Sequence, residues 1–413
     1  MFAPLLAFLS PAARLESDIN VKFYGTRMTN QTHSSSSSSL LEPATLGSLP
    51  LRNRLLMAPL TRTRADSDGT PNALMVEYYA QRASAGLIIA EAATPNAVGQ
   101  TYPDIPGIHT AAHVAGWRQV TDAVHSRGGL SFLQLQHGGR VGHPATSGLI
   151  PVAPSAVPLP ETVFTRNGHL AAVTPHVLTV PEIRETAADF ASAARNAIAA
   201  GFDGVEVHSA NGYLLHQFLA GNTNLRTDGY GGTAENRVSF VLEVVRAVID
   251  AIGAERVGVR LSPGSSVNGI REDDTEDIYR ELVGALAAAA SRPIYLHLIG
   301  AEADSPIYRQ IRRDWPGTLI ANPRLPYPGQ LPVDGGQAAG ERLLDAGADL
   351  IALGRAFIAN PDLVERIHVG APLNPLRDGL MYVGGSTGYT DYPTLGSSDS
   401  VARRDAVGSV TVG

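Results

Sequence analysis

The sequence predicts an α/β protein whose parallel strands close into a (β/α)8 barrel of the TIM-barrel class, with an N-terminal hairpin and an excursion after the third strand. Three observations carry that prediction. Between residues 41 and 395, short β-rich apolar runs alternate with amphipathic helical segments, the order expected of a parallel α/β protein. Eight such runs are present, the number a closed barrel needs. No GxGxxG follows the first of them, which argues against an open dinucleotide-binding sheet.

The predicted strands are residues 55–59, 87–91, 130–135, 204–208, 257–262, 294–298, 318–321 and 350–354. Helix signals separate them. Pro71-Asn72 opens a helix carrying Tyr78, Tyr79 and Arg82, with Gly86 as its stop before the second strand. Thr179-Val180-Pro181-Glu182 combines a capping box with a first-turn proline and starts a helix that runs to Gly201. Asn360-Pro361 opens a helix over residues 362–367, after the last strand.

Two connections exceed plain turns. Residues 136–178 follow the third strand with prolines, glycines and short alternating stretches, and predict a hairpin over the barrel mouth. Residues 322–336 hold Pro323, Pro326, Pro328 and Pro332 and lie where many barrels bind phosphate.

Outside the barrel, residues 1–40 read as a disordered extension with a linker of six serines, 34–39. Met28 would serve as an alternative start, so residues 1–27 read as an upstream translation. Residues 396–413 read as a frayed, Gly/Ser-rich tail. The apolar run at residues 1–9 has no preceding basic residue and is too short to span a bilayer, so a cytoplasmic protein is expected.

Composition excludes several chemistries. A net charge of -7 without long charged blocks argues against nucleic-acid and membrane partners. With no cysteines, disulfides, thiolate nucleophiles and cysteine-held metals are impossible. The only lysine is Lys22, in the extension, so Schiff-base chemistry has no nucleophile in the barrel. Cationic duties fall on arginine, a fixed planar fork suited to phosphates and carboxylates.

Chemistry points to the fourth strand. Phe202 to Val207 is a buried β-type run, and His208-Ser209-Ala210-Asn211-Gly212-Tyr213 leaves its C-terminal end, where barrels place their active sites. His208 and Asn211 can converge on one oxygen as an anion-stabilising pair, and Tyr213 can deliver a proton. The same run also suits a core histidine, a turn asparagine and a packing tyrosine. Other strand ends add Thr61, Ala92, Gln134 and Arg260, groups suited to the edge of a flat hydrogen-bonding heterocycle. Gly354-Arg355, after the eighth strand, suits its phosphate. That description fits FMN. A metal-assisted or cofactor-free lyase or hydrolase using His208 with a carboxylate is the alternative, although no HExxH or comparable ligand spacing accompanies it. A flavin-binding protein without turnover is a third.

Five motifs occur in order: residues 58–64 (APLTRTR), 134–140 (QLQHGGR), 208–213 (HSANGY), 226–237 (RTDGYGGTAENR) and 384–393 (GGSTGYTDYP). Together they resemble the Old Yellow Enzyme family, in its Thr-type branch, over nearly all of residues 41–395. The resemblance implies a barrel that binds FMN non-covalently and uses NAD(P)H to reduce the activated C=C bond of an α,β-unsaturated carbonyl or nitro compound. It implies that Pro59, Thr61, Ala92, Gln134 and Arg260 line the flavin, with Thr61 at its C4 carbonyl and Arg260 at the N1/C2 edge. Gly354 and Arg355 would hold the phosphate. His208 and Asn211 would bind the substrate oxygen, hydride would arrive from flavin N5, and Tyr213 would protonate the α carbon. Tyr102, Gln136 and Tyr382 would line the substrate pocket.

Three departures are visible. Gln136 stands where many members have tryptophan, the proline-rich segment intervenes before Asp334-Gly335-Gly336, and Thr61 occupies a place that other branches give to cysteine. Stereoselectivity, the choice of NADH or NADPH, and monomer or homo-oligomer stay open.

Overall fold

The computed structural model describes residues 38–326, 331–382 and 384–396. The extension expected at residues 1–37 and the tail expected at 397–413 lie outside the described residues.

Strands β1 (Ala44–Leu46) and β2 (Leu49–Leu51) form the antiparallel N-terminal hairpin. The barrel strands are β3 (Leu55–Met57), β4 (Ile88–Ala93) and β5 (Ser131–Leu135), then, after an excursion, five more. The excursion carries β6 (Val152–Ala153), the antiparallel pair β7 (Thr162–Thr165) and β8 (Gly168–Ala171), and β9 (His176–Val177), which pairs with β6. The barrel resumes with β10 (Gly204–Ser209), β11 (Val257–Leu261), β12 (Tyr295–Ala301), β13 (Thr318–Pro323) and β14 (Leu350–Leu353). All eight run parallel, and β14 pairs back onto β3 to close the ring. Each predicted barrel strand is present, with ends moved by a few residues at most.

The helices are α1 (Ala73–Gln81), α2 (Ala111–Ser126), the short α3 (Pro144–Ser147), α4 (Val180–Ala199), α5 (Leu214–Leu219) and α6 (Ala234–Ile252). After them come α7 (Thr275–Ala288), α8 (Pro306–Asp314), α9 (Gln337–Asp345), α10 (Arg355–Ala359) and α11 (Leu363–Val369). The capping box forms as read: Thr179 accepts from the Glu182 backbone, and Glu182 accepts from the Thr179 backbone N–H at 2.7 Å. Strands β3, β4, β5, β10, β11 and β14 are buried at every position because helices cover their outer faces and side chains fill the barrel. None of these helices is long and apolar enough to cross a membrane.

Two expectations are corrected. Gly86 does not end α1, which stops at Gln81 where the Arg82 N–H turns back to the Tyr79 carbonyl. Gly86 instead lets two chains touch: a Cβ there would lie 2.2 Å from the Asn53 carbonyl oxygen. The barrel unit also begins before residue 41. Leu40 is fully buried in the main core, and the Ser38 hydroxyl donates to Glu341 at 2.5 Å.

Candidate active site

A cavity of about 670 Å³ opens at the C-terminal end of the barrel strands, within the roughly 300–1,000 Å³ typical of small-molecule sites. Pro59 and Thr61 reach it from the exit of β3, Gln134 and Gln136 from β5, and His208, Asn211 and Tyr213 from β10. Arg260 joins from β11, and Tyr102 and Tyr382 close the sides. Ten of the thirteen residues singled out from the sequence therefore share one cavity; Ala92, Gly354 and Arg355 do not line it. Ala92 is buried in β4. Gly354 packs against Leu60 of the cavity wall, where a Cβ would lie 3.1 Å from Leu60 Cδ2. Arg355 donates to the Pro326 carbonyl at 2.7 Å and so ties the eighth strand's exit to the proline-rich segment.

The fourth-strand run is held in an uncommon backbone shape. Asn211 has φ 54° and Gly212 φ 72°, the left-handed region that asparagine and glycine tolerate. The Asn211 N–H donates to Ser262 Oγ at 2.8 Å, and its carbonyl accepts from Asn268 Nδ2 at 2.7 Å. The Gly212 N–H donates to His216 Nδ1 at 3.0 Å, and its carbonyl accepts from Gln217 Nε2 at 2.8 Å. These bonds fix the turn that presents Asn211 and Tyr213.

Burial sets the protonation states. His208 is fully buried, and that, with the Arg260 charge beside it, pushes its pKa well below the usual value, so it is neutral at pH 7. Its ring meets Tyr213 edge-on, centroids 5.2 Å apart. Burial and the neighbouring Tyr102 push the Tyr213 phenol well above 10, so it keeps its proton. The two phenol oxygens lie 3.4 Å apart.

Arg260 is buried, and its guanidinium donates to the Pro59 carbonyl at 3.4 Å and to Asn322 Oδ1 at 3.3 Å. Asn322 is oriented by its own donation to the Ala352 carbonyl at 2.7 Å. Among the described residues, Arg260 Nε and His208 Nδ1 are buried without a hydrogen-bond partner. Such groups are costly unless a ligand meets them. A flavin's pyrimidine end, rich in acceptors and anionic when reduced, fits the guanidinium, Gln134 and the Thr61 hydroxyl.

Sequence reasoning missed several wall residues. Thr162, Phe164 and His169 come from the β7–β8 hairpin, which was expected without its inward-facing residues. Val267 and Asn268 come from the loop after β11. The Asn268-Gly269 pair was the available signal, since both adopt positive φ. Asn322 was covered only by the proline-rich segment that starts there.

The fold and site define a barrel oxidoreductase that works through a bound flavin. Residues 39–374 match the model of the NADH:flavin oxidoreductase / NADH oxidase family. The chain is 41% identical over 366 residues to a Leishmania infantum protein named "Probable flavin mononucleotide-dependent alkene reductase", covering 86% of this chain and 97% of that one. Morphinone reductase in complex with tetrahydroNAD superposes with a TM-score of 0.79 at 44% identity, covering 86% of this chain and 98% of that one. An old yellow enzyme homologue from Zymomonas mobilis superposes with a TM-score of 0.81 at 40% identity, covering 86% and 100%. The chain belongs to the Old Yellow Enzyme family of FMN-dependent NAD(P)H oxidoreductases. The lyase or hydrolase alternative finds no support in these relatives.

Proposed function

We propose that this enzyme reduces the C=C bond of α,β-unsaturated carbonyl or nitro compounds, with His208 and Asn211 binding the substrate oxygen and Tyr213 supplying the proton. One observation carries the reading: neutral His208, Asn211 and a proton-bearing Tyr213 face the same cavity as Arg260 and Gln134.

FMN, when bound, would supply two-electron hydride chemistry between NAD(P)H and the alkene. Pro59, Thr61, Ala92, Gln134 and Arg260 would hold its ring, and Gly354 and Arg355 would hold its phosphate. Arg260 favours negative charge at the pyrimidine end because its own charge is permanent. His208 and Asn211 draw electron density toward the substrate oxygen and stabilise the enolate-like charge that develops there. Tyr213 then gives its proton to the α carbon. Tyr102, Gln136 and Tyr382 shape the space around the alkene.

Purified protein tests this reading directly. It is expected to be yellow, to be decolourised by NADPH or NADH, and to regain colour with 2-cyclohexenone under anaerobic conditions, yielding cyclohexanone. A colourless protein that cannot be reconstituted with FMN refutes it. Action without nucleic-acid or membrane partners belongs to the same proposal and is supported by the net charge of -7 without charged blocks, and cytoplasmic residence is proposed with it. The chain's own domain division is proposed likewise: one barrel domain that ends at about residue 395.

A further inference from the structure

One buried carboxylate inside the barrel takes no part in the chemistry above. Glu206 precedes His208 by two residues on β10, so both point inward. It is fully buried and accepts three hydrogen bonds: from Gln134 Nε2 at 2.8 Å, from the Tyr295 hydroxyl at 3.0 Å and from His297 Nδ1–H at 2.8 Å. Tyr295 reaches it over the intervening β11 because residue 258 is glycine; a Cβ there would lie 2.0 Å from the ring. Gln134 gives its amide nitrogen to Glu206, which leaves its oxygen as the acceptor.

Charge completes the arrangement. His208, Arg260 and His297 stand side by side in register on β10, β11 and β12. Burial pushes the His297 imidazole down, with Arg260 adding to the effect, so the ring is neutral and donates through Nδ1–H. Burial pushes the Glu206 carboxyl up, but His297, Arg260 and Gln134 outweigh it and keep the group ionised. Among the described residues, Arg260 itself makes hydrogen bonds only to neutral oxygens, those of Pro59 and Asn322. Its negative partner is Glu206, acting through space.

We propose that Glu206 is the counter-ion of Arg260 and sets how strongly the barrel floor favours the reduced, anionic form of the cofactor. The proposal rests on the reading that places the cofactor's pyrimidine end at Arg260 and Gln134. A carboxylate two positions below the substrate histidine would then act as a positioning and electrostatic residue, touching neither substrate nor cofactor. In a low-dielectric interior, removing it leaves the guanidinium uncompensated.

The test is the two-electron potential of the FMN holoenzyme, together with titration of apoprotein by oxidised FMN. Glu206→Gln is expected to raise the affinity for reduced over oxidised FMN about tenfold, an upward shift of about 30 mV. Glu206→Asp, which keeps the charge, is expected to restore the wild-type potential. A merely structural role would weaken both redox forms alike, and an unchanged potential in Glu206→Gln overturns the proposal. Should that variant not fold, Glu206→Leu combined with His297→Leu removes carboxylate and donor together, a replacement buried pairs commonly tolerate, with the same shift expected. Arg260→Gln separates the two readings. If it changes neither potential nor FMN affinity, the cofactor placement fails; if it lowers the potential while Glu206→Gln does nothing, only the counter-ion role fails.

Discussion

The hydroxyl oxygens of Tyr102 and Tyr213 lie 3.4 Å apart on the wall of the barrel cavity, beside the edge-on contact between Tyr213 and His208. Tyr213 is thereby the phenol next to His208, and Tyr102 is its hydroxyl neighbour. Tyr213→Phe is expected to slow alkene reduction by about 10²-fold or more, the usual size of a general-acid effect. Flavin reduction by NAD(P)H should stay within about twofold, because no proton from Tyr213 is spent in it. Stopped-flow measurement of the two half-reactions checks this. Equal losses in both would refute the proton-donor role.

Burial also fixes how the reaction responds to pH. The Tyr213 phenol is held well above 10 by burial and Tyr102, and the His208 imidazole well below 6.5 by burial and Arg260. Across pH 6.5 to 10 neither group changes charge, so the alkene half-reaction is expected to be flat there. A rate that follows the protonation of the His208 imidazole, tracked by its NMR signal, would show that it works as an imidazolium, contrary to this geometry.

Much of this site was legible because chemistry-bearing residues cluster at strand ends, and strand ends are set by local apolar pattern. His208, Asn211 and Tyr213 were found this way, as were Thr61, Gln134 and Arg260. Gly354 and Arg355 also sit where expected in the chain, yet do not line the cavity, and Arg355 donates to the Pro326 carbonyl. Phe164 and His169 escaped notice because a hairpin that folds back over a barrel mouth has no sequence period that says which face turns inward. The tie between Glu206, Tyr295 and His297 was invisible for a different reason. Each reads alone as a strand residue, and only the register of β10 and β12 on either side of β11 brings their side chains together.

Gln136 lines the cavity beside Tyr102 and His208. It is 2% exposed, and its amide nitrogen donates to the Thr101 hydroxyl at 2.9 Å. Gln136→Trp would fill part of the cavity and break that bond. Bulky cyclic enones are expected to lose about tenfold or more in kcat/KM relative to 2-cyclohexenone, in line with about 1–3 kcal/mol for steric discrimination in a pocket. A substrate panel measures it; equal changes for small and large enones would place Gln136 outside the determinants of pocket size.

Gly258 gives a stability prediction free of catalytic assumptions. Alanine there would put its Cβ 2.0 Å from the Tyr295 ring, inside a barrel with no room to move it. Gly258→Ala is expected to destabilise the fold by about 3 kcal/mol, at the upper end of ordinary overpacking. Pairing it with Tyr295→Phe should recover little, since the clash is with the ring rather than the hydroxyl, whereas Tyr295→Ala should recover most of it. Denaturant unfolding of the single and double variants decides between these patterns.

Glu91 provides the last prediction, through linkage. It is buried on β4, where it accepts from the Arg62 N–H at 3.1 Å and from the Tyr79 hydroxyl at 3.2 Å. Burial dominates these bonds and raises its pKa from 4.5 to about 7. The folded state therefore binds a proton more tightly than the unfolded chain does. That contribution is fully present below pH 4.5 and is lost as pH rises through about 7, leaving the wild type weaker by roughly 3 kcal/mol at pH 8. The buried histidines act in the opposite sense: His137, lowered to about 3 by burial, makes stability fall as pH drops below 6.5. Their effect is common to wild type and variant and cancels in the difference. Glu91→Gln, neutral at every pH, should gain stability relative to wild type between about pH 4.5 and 7 and level off above that. Denaturation midpoints for the two proteins at four pH values test it, and parallel curves would mean that Glu91 stays ionised in the barrel wall.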